Sequence, residues 1–190
     1  MKKLILAALL LAPTAAFAHP GHTETSSLFA GLTHPLSGLD HLTVMLAVGA
    51  LAALKGGRAL WLWPATFVGV MIAGAALGMS GVTLPLVEPA ILASVVILGL
   101  LVALAVNVPT WLGVALIGAS ALFHGHAHGA EAAGLGSLGY MTGFVATTAA
   151  LHLAGIGAVL GLRSASLQPV VRIAGAACAL IGAGLALNAI

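Results

Sequence analysis

From residue 30 onward the chain is almost continuously apolar, broken only by short polar or turn-forming breaks. A membrane-crossing helix needs about 20 consecutive apolar residues. Six stretches meet that length: 35–54, 59–79, 89–106, 111–128, 137–162 and 170–189. Pro35, Pro89 and Pro169 stand at or just before helix entry, where the missing N–H costs nothing, and Pro64 falls in the first turns of the second stretch. The links are short, so neighbouring helices are antiparallel. The expected fold is all-α: a polytopic membrane helix bundle of about six transmembrane helices in one compact unit, with no soluble domain.

The amino terminus follows a different pattern. Lys2 and Lys3 form a positive n-region, Leu4 to Ala12 an apolar h-region, and Ala16-Phe17-Ala18 an A-x-A cleavage site. The h-region is short for a spanning helix. Residues 1–18 are therefore expected to be a cleaved signal peptide, and 19–190 a single transmembrane domain. Cleavage would leave His19 as the new terminus, in His19-Pro20-Gly21-His22.

Composition supports the bilayer as solvent. Hydrophobic residues make up 61% of the chain, charged residues 5%, and the mean hydropathy is +1.19. A soluble domain is nearer 45–50% apolar and about 25% charged. The net charge of +2 is too small to draw nucleic acid. The lone Cys178 offers neither a disulfide nor a thiolate pair. No phosphate-binding G-x-x-x-x-G-K-[ST] loop is present, so no ATP-driven step is expected.

The few charges orient the bundle. Lys55 and Arg58 lie between the first two spans, and Arg163 and Arg172 flank the link between the last two. Both links fall on one side, which the positive-inside rule makes cytoplasmic. The mature amino terminus is then periplasmic, as a secretory signal also requires. Glu24, Glu88 and Glu131 sort to the outside, with Asp40 in the outer half of the first span. Seven of the eight histidines gather on the periplasmic side; His152 lies deeper. Gly74-x-x-x-Gly78, Gly139-x-x-x-Gly143 and Gly157-x-x-x-Gly161 are read as helix-packing pairs.

Ionisable groups at membrane depth are costly and mark a pathway or site. Imidazole and carboxylate are ligands for divalent first-row metals. The fourth span ends in Phe123-His124-Gly125-His126-Ala127-His128-Gly129-Ala130-Glu131. His124 and His128 are one helical turn apart on one face, and Glu131 falls close to it. His126 points elsewhere in a regular helix, unless Gly125 and Gly129 loosen the backbone and let all three imidazoles converge. In the first span, His34, Gly38 and His41 share a helix face. Gly38 leaves room there for an ion or an approaching helix, and Asp40 stands one step off the stripe. Asp40 alone also fits a helix-N-terminal acid favoured by the macrodipole, but its depth within one continuous helix argues against that. His152 follows Thr147 and Thr148. It is either a transit ligand or proton acceptor along a conduit, or a partner in a structural interhelical hydrogen bond. His19 and His22 either capture metal with the free amine or form a plain polar tail.

The strings His34-x5-Asp40-His41 and Phe123-His124-Gly125-His126-Ala127-His128-Gly129-Ala130-Glu131 resemble the two signature motifs of the HupE/UreJ family, and the similarity extends over essentially the whole chain. The resemblance implies a bacterial inner-membrane nickel permease serving hydrogenase or urease maturation, with cobalt assigned to some relatives. It implies metal handling by His34, Asp40, His41, His124, His128 and Glu131, and leaves His126 a less fixed role.

The expected activity is transport of a divalent ion, most readily Ni²⁺ but chemically also Co²⁺ or Zn²⁺, from periplasm to cytoplasm. The ion is cargo, and no fixed cofactor and no catalysis are expected. Two rivals share the ligand chemistry. One is a membrane-embedded zinc-dependent hydrolase, although the H-E-x-x-H signature is absent. The other is a periplasmic-facing metal buffer or sensor.

Overall fold

The computed structural model describes residues 24–132, 137–162 and 168–187. The proposed signal peptide, His19, His22 and Arg163 lie outside the described residues. Seven helices and no strand are found among the described residues: α1 (Glu24–Ser37), α2 (Leu39–Lys55), α3 (Ala59–Met79), α4 (Val87–Ala103), α5 (Thr110–Ala132), α6 (Ser137–Gly161) and α7 (Gln168–Ala186). By length and apolar character α3, α6 and α7 are able to cross a membrane, and α1 with α2 makes a fourth, bent candidate. Six spans would need α4 and α5 as well. However, α4 has only 17 residues, and the last part of α5, from His124 onward, carries three histidines and a glutamate.

The first expected span is the one that differs. The helix begins at Glu24 rather than near Pro35, and Pro35 lies within the final turns of α1. Gly38 then adopts an extended conformation (φ −96°, ψ 123°), and α2 leaves at 79° to the preceding helix. Pro35 contributes no N–H and crowds the preceding turn, which weakens the helix just before the break. The hydroxyls of Thr33 and Ser37 donate to the carbonyls of Phe29 (3.0 Å) and His34 (2.7 Å), capturing oxygens near this helix end. His34 and His41 therefore do not share a helix face. Asp40 is in the first turn of α2, where the macrodipole favours an acid, so the depth argument against that reading does not hold.

The two ends of the bundle differ chemically. At one end Lys55 donates to Asn107 Oδ1 (2.8 Å) and Arg172 to the Ala103 carbonyl (2.8 Å). These bonds collect the end of α2, the end of α4 and the start of α7. At the other end, His34, Asp40, His41, Glu88, His128 and Glu131 line one cavity.

Glycine sets the helix spacing. A Cβ on Gly125 would lie 2.0 Å from the Met71 carbonyl oxygen, and one on Gly129 2.1 Å from that of Ala75. Gly74 and Gly78 press in return on Leu122 and His126 of α5. This pair works as packing, as expected. Gly143 likewise meets the Leu28 carbonyl of α1. Gly157 and Gly161 meet nothing within 4 Å, so the third pair packs on no helix among the described residues. The core between the helices is filled by Val44, Met45, Val48, Trp63, Phe67, Met71 and Phe144, all nearly inaccessible. Leu138, Leu153, Ile173 and Leu180 face outward, as apolar side chains in a bilayer do.

Candidate metal centre

The α5 helix stays regular through its histidines, because Gly125 and Gly129 are used against α3 rather than to loosen the backbone. The His face is adjacent to the Gly face. His124 and His128 point together toward α2, and both are buried. His126 does not join them. Its Nε2 donates to the Val82 carbonyl at 2.6 Å and ties α5 to the link after α3. Of the two alternatives for His126 the regular helix holds, and two imidazoles of α5 rather than three converge.

The break at Gly38 brings the start of α2 against this face. A Cβ at Gly38 would lie 2.7 Å from Asp40 Oδ1 and 3.3 Å from His41 Nδ1. Glycine there makes room for the Asp40–His41 pair rather than for an ion between two stacked imidazoles. His41 Nδ1 lies 3.0 Å from Asp40 Oδ1, and His128 Nδ1 lies 3.1 Å from Glu131 Oε2. An ionised carboxylate only accepts, so in each pair Nδ1 carries the proton and Nε2 keeps its lone pair. His124 Nδ1 donates to the Ser120 carbonyl (2.9 Å), which leaves its Nε2 as a lone-pair nitrogen without a partner among the described residues.

The Nε2 atoms of His41 and His128 face each other in direct contact. Two lone pairs cannot face each other so closely, so one nitrogen shares a proton with the other, or both rings turn slightly to share an ion. A histidine whose second nitrogen is held by a carboxylate is the usual arrangement of an imidazole metal ligand. His34, from the end of α1, stands 3.4 Å from Glu131 Oε2. One ligand atom each from His34, His128 and Glu131 lies within 4.8 Å of the others. The cavity of about 230 Å³ beside them also reaches Glu88 and Ser37.

Aromatic rings of α6 form one wall. Phe144 packs on His128 (4.3 Å between centroids), and His34 meets Tyr140 at 5.8 Å. Neither ring stood out in the sequence, although their i, i+4 spacing on one helix face was a usable signal. Ser120, one turn before His124, was equally unremarked. His152 lies away from the cluster. It is fully buried, its ring is edge-on to Phe67 at 5.1 Å, and neither nitrogen has a hydrogen-bond partner among the described residues. The expected interhelical hydrogen bond is therefore not formed.

Apolar helices with an imidazole–carboxylate cluster at one end define a polytopic membrane protein with a candidate metal site. The chain belongs to the HupE/UreJ family, whose members are transporter-type proteins: residues 7–185 match the family described as HupE / UreJ protein. It is 48% identical over 181 residues to Protein HupE of Rhizobium leguminosarum bv. viciae, covering 95% of this chain and 94% of that protein. No solved structure matches.

Proposed function

We propose that this protein is a nickel permease of the bacterial inner membrane, carrying Ni²⁺ from periplasm to cytoplasm. The single observation that carries the reading is the facing pair His41 and His128, each with Nδ1 held by a carboxylate and Nε2 turned toward the other. His34, His124 and Glu131 surround that pair and supply further nitrogen and oxygen ligands. Imidazole and carboxylate suit Ni²⁺, Co²⁺ and Zn²⁺. The cluster replaces part of the hydration shell, and binding is balanced so that the ion both enters and leaves. The imidazoles must be neutral to bind, so protons compete with metal at the entrance.

Direction follows from charge. Lys55 and Arg172 lie at the end opposite the cluster, and the positive-inside rule makes their end cytoplasmic. In this reading residues 1–18 are a cleaved signal peptide, α4 and α5 complete six spans, and the mature amino terminus is periplasmic, with His19 and His22 near the entrance. Hydrogenase or urease maturation is the client.

The test is ⁶³Ni²⁺ accumulation in cells without their own nickel importers, with parent, His41→Ala and His128→Ala at matched membrane levels. Uptake by the parent and a loss of at least about tenfold in both variants is expected. Absence of uptake by the parent would overturn the nickel reading. Tight metal retention through purification without uptake would favour the zinc-dependent hydrolase.

A further inference from the structure

Five imidazoles and one phenyl ring form a continuous file through the bundle. Ring centroids step from His34 to His128 (4.7 Å), to His41 (4.1 Å), to His124 (4.7 Å), to Phe67 (5.8 Å), and then to His152 (5.1 Å). The first four imidazoles belong to the outer cluster. The last lies beyond the phenyl ring, about 22 Å along α6 from its start at Ser137.

The surroundings of His152 are built for more than packing. His152 and Thr148 are one turn apart on α6, and Phe67 and Met71 are one turn apart on α3. The two faces meet at two levels: Phe67 against His152, and the Thr148 hydroxyl 3.9 Å from the Met71 sulfur. All four side chains are essentially inaccessible. A buried imidazole with neither nitrogen partnered among the described residues is costly to keep. A purely structural role would be met more cheaply by a phenylalanine.

We propose that His152, with Met71 and Thr148 one helical turn away, is an inner station for a borderline divalent metal ion, with the Phe67 ring between His152 and His124 of the outer cluster. Imidazole nitrogen, thioether sulfur and hydroxyl oxygen together suit an ion of the Ni²⁺, Co²⁺ or Zn²⁺ type and disfavour Mg²⁺ or Ca²⁺. The station rests on the permease reading for the ion's route, but its existence as a binding site can be tested without transport.

Two substitutions separate ligand from filler. His152→Phe keeps a ring against Phe67 and removes the nitrogen, whereas His152→Cys loses the ring and restores a metal ligand. Equilibrium dialysis of the purified chain against ⁶³Ni²⁺ reads the sites directly, with His41→Ala identifying the outer class. His152→Phe is expected to keep the outer class, which also reports correct folding, and to lose the deeper one. Its cellular uptake is expected to fall at least about tenfold, and His152→Cys to recover part of both signals. Parental binding and uptake in His152→Phe would overturn the proposal, as would a His152→Cys no better than His152→Phe. A parent that binds at both classes but accumulates no nickel would strike the permease reading and leave the station standing.

Discussion

The α3·α5 and α4·α7 pairs use the same device to bring two helices together, and only one of them carries chemistry. In the first, Gly125 and Gly129 rest on the Met71 and Ala75 carbonyls. In the second, Gly99 and Gly175 press on the backbone at Ala179 and Ala103, where a Cβ would come within 2.5 Å and 2.4 Å of a nitrogen. The α4·α7 face adds little beyond the Cys178 thiol, directed at the Val95 carbonyl at 3.5 Å. In α5 each packing glycine is followed or preceded by a histidine. Backbone contact with α3 fixes the rotation of α5 about its own axis, and that rotation aims His124 and His128 at α2. The imidazoles are thus positioned by a helix–helix contact rather than by their own rotamers, the kind of rigid support a binding site needs.

The largest effect should come from breaking that contact. Gly125→Val places a branched side chain against the α3 backbone, which cannot yield as a flexible side chain would. A loss of about 3 kcal/mol or more is expected, read as poor membrane accumulation and a lowered midpoint on heating in detergent. Gly175→Val should be comparably damaging. The comparison sharpens in the milder Gly125→Ala and Gly175→Ala. Among molecules that still fold, nickel binding should weaken for Gly125→Ala alone. Equal weakening in both would mean that α5 packing has no special hold on the imidazoles.

An intermediate effect should follow from Asp40→Asn. If Asp40 acts through His41, metal affinity falls about 10–100-fold while stability changes little. If it is only an acid at the start of α2, stability falls by about 0.3–1 kcal/mol and metal binding is unchanged. Dialysis and thermal unfolding on the same preparation distinguish the two.

Much of this arrangement was legible from spacing. His124, His128 and Glu131 share a face because a helix repeats every 3.6 residues, and α5 keeps that repeat. The helices at 59–79 and 137–161 match their apolar stretches closely. The break at Gly38 was not legible. A single glycine within an apolar run is compatible with a continuous helix, and the bent form is favoured by the packing of both α1 and α2 on α6, a segment far away in the sequence. The same break reverses the meaning of Asp40, moving it from mid-helix to a first turn. Gly125 and Gly129 were ambiguous for a related reason. Glycine permits both a loosened backbone and a close helix contact, and the choice depends on Gly74 and Gly78 of a distant segment. His126 offered no signal for its partner, since a backbone carbonyl such as that of Val82 leaves no mark in the sequence.

The smallest effect concerns the glycine pair that touches nothing among the described residues. Gly157 and Gly161 have the same spacing as Gly74 and Gly78, yet no described residue lies beyond them. If lipid alone lies there, Gly157→Ala removes no contact and adds helix propensity. Stability should then stay within about 0.5 kcal/mol or rise slightly, with membrane accumulation and nickel uptake unchanged. If a second copy of the chain packs there, the added methyl group would hold two backbones apart, and Gly157→Ala would lower both accumulation and the size of the detergent-solubilised particle. Spacing alone is common to all three glycine pairs. What separates a helix contact from an open face is whether another backbone lies opposite, and this substitution asks that question of the one pair that has no partner among the described residues.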